Sequence, residues 1–175
     1  MVCCTPLFSQ KDFKQGEFSF HAGYGNILNG TPGLTLVTHS YQRKLAQGIS
    51  WDGQYNYQPF KYFIVGFIYS GFSSKGSHPE GSDHLWINFI APQIGGYIIN
   101  NKQWQIRLTT GGGMLFYRNN SRVFDKRRTA LAKGLGLLID GSATYKLSPH
   151  IGVGMEIQYL FAGLPYLYSH YHGEK

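Results

Sequence analysis

Charged side chains are scarce in this sequence, and their company suggests what they do. Glu17, Asp52, Arg107, Asp140, Lys146 and Glu156 each lie in runs where the alternate residues are mostly small or polar. Both signs are represented. Acids and bases confined among small side chains can neutralise one another, and buried charges persist only when paired. The expected chemistry is an internal ion-pair network. A second group has a single sign: Arg118, Arg122, Lys126, Arg127 and Arg128 surround one acid, Asp125. Clustered guanidinium groups suit bidentate contact with phosphate oxygens. A solvated surface segment would carry the same residues.

Catalytic and metal-binding readings have less behind them. Hydrolytic catalysis needs a serine, a histidine and a group that orients the histidine. The available pairs are His39-Ser40 and Ser169-His170, with His172 nearby and His21 on a polar strand face. Neighbours in sequence do not readily form a hydrogen-bonded dyad, and no G-x-S-x-G accompanies them. His170 and His172 make a weak metal pair at best. Cys3 and Cys4 are adjacent, so no disulfide is expected. The expectation is therefore no catalysis, no cofactor and no metal.

The elements that position these residues alternate with period two. From Thr129 to Leu147 the odd positions include Leu131, Leu135, Leu137, Ile139 and Tyr145. The even positions carry Ala132, Gly134, Gly136, Asp140, Ser142, Thr144 and Lys146. After Ser148-Pro149-His150, Ile151, Val153, Met155, Ile157, Tyr159 and Phe161 share one face, opposite Gly152, Gly154, Glu156 and Gln158. Period two means extended strand, and these two runs form a long antiparallel hairpin. Earlier runs repeat the theme at Glu17–Gly25, Gly48–Tyr57 and Trp104–Phe116. Tyr62–Phe72 is apolar on both faces, and His84–Ile99 is interrupted by Pro92, where a bulge or unpaired position is expected. Thr31-Pro32, followed by Leu34, Val37, Tyr41 and Leu45, predicts a short helix ending near Gly48.

Connections alternate long and short. Short ones fall near 58–61, 100–102 and 147–150, and long ones near 26–47, 73–83 and 118–130. Seven strands are visible, and Pro165–Lys175 reads as the start of a further long loop. Residues 1–13 read as the remnant of a signal peptide or a disordered tail, and 14–175 as a single barrel domain truncated before its last strand.

Composition bears on which face is inside. Only 14% of residues are charged, against roughly 25% in a typical soluble domain. Aromatics make up 16% of the chain, glycines number 23, and the net charge is +7. No apolar run reaches the about 18 residues of a spanning helix, which leaves open a barrel whose strands need only about 9–11. A soluble outer face would be rich in lysine and glutamate. Here the polar face is rich in glycine and the apolar face in bulky aromatics, so the apolar face is expected to point outward to lipid.

The chain thus resembles the small eight-stranded outer-membrane barrels of Bacteroidetes-type bacteria, with the architecture of the OmpA/OmpX/OmpW group. The resemblance rests on Ala22-Gly23-Tyr24-Gly25, the insert leading to Gly48, Asp52 with Tyr55-Asn56-Tyr57, Ile90-Ala91-Pro92 and the final hairpin. It implies an all-β, antiparallel up-and-down transmembrane β-barrel in a Gram-negative outer membrane, with short periplasmic turns, long outer loops and a closing eighth strand. The expected role is structural or surface-interacting, with a plugged interior. The basic stretch would contact lipopolysaccharide and lipid, no nucleic acid would be bound, and the protein would be a monomer. The alternative is a soluble periplasmic β-barrel that binds an apolar ligand.

Overall fold

A computed structural model of the chain describes residues 3–6, 15–28, 45–78, 81–123, 126–148 and 151–172. The strands are β1 (Cys3–Pro6), β2 (Gln15–Asn26), β3 (Gln47–Phe60), β4 (Phe63–His78), β5 (Gly81–Asn100), β6 (Trp104–Val123), β7 (Lys126–Lys146) and β8 (Ile151–His172). All pairings are antiparallel, in the order β1-β8-β7-β6-β5-β4-β3-β2. The short β1 pairs with β8 and also approaches β2, which nearly closes the sheet into a barrel.

The three short turns lie where the sequence puts them. In one, the Asn101 side-chain oxygen accepts hydrogen bonds from the Gln103 and Trp104 amides at 2.9 and 2.6 Å. Asparagine does this because its side chain mimics a backbone carbonyl two residues back. Pro92 pairs with Phe67 of β4. The ladder to β6 skips Ala91 and Pro92 without a register shift, since proline has no N–H to give.

Several expectations are corrected. Residues 73–83 and 118–130 are not long loops: β4 pairs with β5 out to His78↔Gly81, and β6 with β7 out to Val123↔Lys126. Polar residues in these stretches keep the alternation, with Asp83 and Asn119 on the inner face. Pro165–His172 is strand rather than loop, and Tyr166–His172 pair with Arg127–Lys133. Cys3–Pro6, read as a signal remnant or disordered tail, is a strand on β8. Most of the expected helix lies at 29–44, outside the described residues, and only Leu45 and Ala46 have helical backbone.

The faces divide sharply. Ile157 is 80% and Leu135 74% exposed, whereas Asp52 and Asp140 are fully buried. One part of the rule fails: on β4 and β5 apolar side chains also turn inward. Ile68, Leu85, Phe89, Ala91, Leu115, Tyr117, Ala132 and Leu138 form a buried cluster on the side of the long hairpins, flanked by Ile27 and Phe72. Strands that are apolar on both faces cannot signal which side is inner.

Close strand approach explains particular glycines. A Cβ at Gly113 would overlap the Ile90 carbonyl oxygen and crowd Ala91, while one at neighbouring Gly112 would meet open space. On the outer wall Gly71 lies beneath the Trp51 indole, which fills the room a side chain would take. Gly113→Ala should lower the folding stability by about 1–3 kcal/mol, the usual range for overpacking. Gly112→Ala should change it by no more than about 0.5 kcal/mol. Urea midpoints of the two variants, refolded in detergent, check the contrast.

Candidate functional site

The inner face of the turn-side half holds the polar interior. Alternation on six strands aims its residues at one axis: Glu17, Ser19 and His21 from β2, and Asp52, Gln54 and Asn56 from β3. Gln93 and Tyr97 come from β5, Gln105, Arg107 and Thr109 from β6, Asp140 from β7, and Glu156 from β8; all are buried.

Arg107 is at the centre. Its guanidinium reaches Glu17 Oε1 at 3.3 Å and donates to Gln54 Oε1 at 2.9 Å. Asp140 Oδ1 and Glu156 Oε2 each lie 3.9 Å away. Glu17 Oε2 also accepts from Gln105 Nε2 at 2.8 Å and from the Tyr97 hydroxyl at 3.1 Å. Thr109 donates to Asp140 Oδ1 at 3.2 Å. Gln54 Nε2 donates to both Asp52 Oδ1, at 3.2 Å, and Glu156 Oε2, at 3.0 Å. His21 Nδ1 stands 2.8 Å from each of those same two oxygens. Gln158 donates to Glu156 Oε1, and Gln93 to Asn56 at 2.7 Å.

Five of the six charged residues singled out from the sequence therefore converge: Glu17, Asp52, Arg107, Asp140 and Glu156. Lys146 does not join them. It sits at the turn-side rim, where its ammonium donates to Asn100 Oδ1 at 2.7 Å and to the Asn101 carbonyl at 2.9 Å. Its place at the end of β7, beside a turn rich in acceptors, explains the difference. Formal charge does not pick out the neutral members, Gln54, Gln93, Gln105, Thr109 and Tyr97. They share the parity of an inward charged residue in their strands, Asp52 on β3, Asp83 on β5 and Arg107 on β6, and that was the available signal. No known family model matches the chain. Neither a curated protein nor a solved structure matches it.

The basic group takes a form the sequence did not suggest. It lies on the β6–β7 hairpin rather than in a loop. Register puts Arg122 opposite Arg127, Ser121 opposite Arg128 and Val123 opposite Lys126. Arg118, Arg122 and Arg128 are exposed. Arg118 lies over the Trp86 ring at 5.8 Å and donates to Asn120 at 3.2 Å. Of the serine–histidine pairs, His39 and Ser40 fall outside the described residues, and Ser169, His170 and His172 are described in backbone only. His21 pairs with carboxylates instead.

Removing one partner of a buried charge group strands the rest, at a cost of about 3–5 kcal/mol. Arg107→Leu should destabilise the barrel by that amount. Adding Glu17→Gln should recover part of the loss, because one of the abandoned carboxylates is gone. A double-mutant cycle on denaturant midpoints checks both.

Proposed function

We propose that this chain is a transmembrane β-barrel of a Gram-negative outer membrane, similar in architecture to the OmpA/OmpX/OmpW group. Its role is structural and surface-interacting rather than catalytic or conductive. The observation that carries this reading is the outer wall. Phe18, Phe20, Tyr55, Phe67, Ile94, Leu108, Leu137, Met155 and Ile157 are all exposed on it, far beyond the apolar patch a water-soluble monomer tolerates.

The wall also has edges of the right kind. Phe60, Tyr62, Phe63, Trp104 and Tyr145 stand exposed beside the short turns, with Trp104 and Tyr145 edge to face at 5.1 Å. At the other end Lys133 lies over Phe116 at 5.9 Å and Arg118 over Trp86. Aromatic rings carrying cations are the chemistry of a membrane–water boundary. On β6 the apolar stretch runs from Trp104 to Phe116. At about 3.3 Å per residue and a tilt near 40°, that spans roughly 30 Å of height, comparable with the apolar band of such barrels.

Beyond this boundary the β6–β7 hairpin presents Arg122 across from Arg127. Clustered basic side chains on one hairpin suit contact with phosphate oxygens. The natural source at this surface is lipopolysaccharide. The side chains buried along the inner face support a plugged interior, as expected for so few strands.

In membranes from expressing cells, the protein should resist carbonate washing and come out only with detergent. Release by carbonate would favour a soluble periplasmic barrel instead. Purified protein should show negligible conductance in planar bilayers. Replacing Arg118, Arg122 and Arg127 with serine should weaken lipopolysaccharide binding at least about tenfold at low salt, with less effect at high salt. An unchanged affinity would remove the lipopolysaccharide assignment while leaving the membrane reading to the extraction result.

A further inference from the structure

The acids of the interior outnumber the bases. Glu17, Asp52, Asp140 and Glu156 are buried around one guanidinium, Arg107, and one imidazole, His21. With a neutral imidazole the cluster carries three negative charges in excess. Protonating His21 offsets one of them, and a divalent cation offsets two. Burying uncompensated carboxylates is costly, so the imbalance must be offset by protons or by a cation.

The geometry supplies a place for it. His21 Nδ1, Asp52 Oδ1 and Glu156 Oε2 lie within 4.8 Å of one another. All three residues are buried. A second observation points the same way. Asp52 Oδ2 and Asp140 Oδ2 are buried and have no hydrogen-bond partner among the described residues. Asp52 and Asp140 are themselves fully buried. Asp140 Oδ1 and Glu156 Oε2 lie 3.9 Å from the same Arg107 nitrogen. Gln54 Nε2 holds both ligand oxygens from behind. Metal-ligating side chains are commonly oriented by such outer partners.

We infer that His21, Asp52 and Glu156 bind one divalent first-row transition-metal ion of the zinc class inside the barrel. One imidazole with two carboxylates is a borderline donor set, softer than the all-oxygen shells of calcium or magnesium and without the thiolate of a copper(I) site. Tetrahedral ligands about 2.0–2.1 Å from zinc stand roughly 3.3 Å apart. His21 Nδ1 is 2.8 Å from each oxygen, so modest side-chain rotation admits the ion. The apolar cluster covers the hairpin side, while Tyr97, Gln105, Glu17 and Arg107 cover the turn side. An ion so enclosed enters as the barrel folds and leaves slowly.

The test refolds the full chain from urea into detergent, with Zn²⁺ or with EDTA, and counts retained metal after gel filtration. One zinc per chain is expected, resistant to subsequent EDTA while the protein stays folded. His21→Ala and Glu156→Gln should each reduce retention at least about tenfold, whereas Cys3→Ser/Cys4→Ser and His170→Ala/His172→Ala should keep it. Should the lumen variants not fold, Co²⁺ loaded into the wild-type chain decides. A ligand-field spectrum without thiolate charge-transfer absorption, unchanged in the His170→Ala/His172→Ala variant, supports the site. No retained zinc, loss with the cysteines or tail histidines, or equal retention of Ca²⁺ would overturn the assignment. None of these outcomes depends on lipopolysaccharide binding or on membrane extraction.

Discussion

Arg107 is the residue around which the interior is arranged. From β6 it touches Glu17 of β2 and Gln54 of β3, and stands within 3.9 Å of Asp140 on β7 and Glu156 on β8. Backbone ladders join each strand only to its neighbours. The guanidinium joins strands that are not neighbours, across the axis. It has the planar fork and permanent charge needed to serve several acceptors at once, which a lysine lacks. A narrow cylinder must fill its inside with something, and a charge is tolerable there only when enclosed by partners. The Gln54 amide bridges Asp52 and Glu156 while accepting from Arg107, Gln105 donates to Glu17, and Gln93 donates to Gln54 and Asn56.

The interior is built in two parts with different physics. On the turn side, polar groups are joined by directional bonds, although some atoms, Asp52 Oδ2 and Asp140 Oδ2 among them, are left without a hydrogen-bond partner among the described residues. On the hairpin side, Phe89, Leu85, Leu115 and Leu138 pack as an ordinary hydrophobic core. The outer wall reverses the usual preference, with bulky apolar residues turned outward along the strands. Those residues gain nothing from water, and it is on them that the proposed lipid-facing placement rests. Trp51 over Gly71 shows that even on this wall backbone is shielded where a side chain is missing.

Much of the fold was legible in the sequence because period two is unambiguous where one face is apolar and the other small or polar. Strands β2, β3, β6, β7 and β8 could be assigned to faces residue by residue. The reading failed where polarity was mistaken for irregularity. Ser73–Asp83 and Arg118–Arg128 contain glycines, lysines and arginines that look like loop, yet they continue as paired strands beyond the apolar belt. Inward-pointing Leu85 and Phe89 could not be foreseen, since β5 offers apolar residues to both sides. In the site, formal charge led to the right neighbourhood for Glu17, Asp52, Arg107, Asp140 and Glu156. Lys146 misled because parity alone does not tell how close to a rim a residue stands. His21 was noticed as inward-facing, but its two carboxylate partners come from β3 and β8, far apart in sequence.

The barrel is fastened unevenly around its circumference. β7 and β8 are laced from Arg127↔His172 to Lys146↔Gly152, whereas between β8 and β2, among the described residues, only Cys3–Pro6 intervenes, gripping Ile151–Gly154. Yet His21 of β2 reaches Glu156 of β8, and Glu17 of β2 is tied to Arg107. Side chains thus stand in for missing rungs, and the joint is stitched from within. Loss of those stitches would let the cylinder part lengthwise along that one line while every other ladder stayed whole.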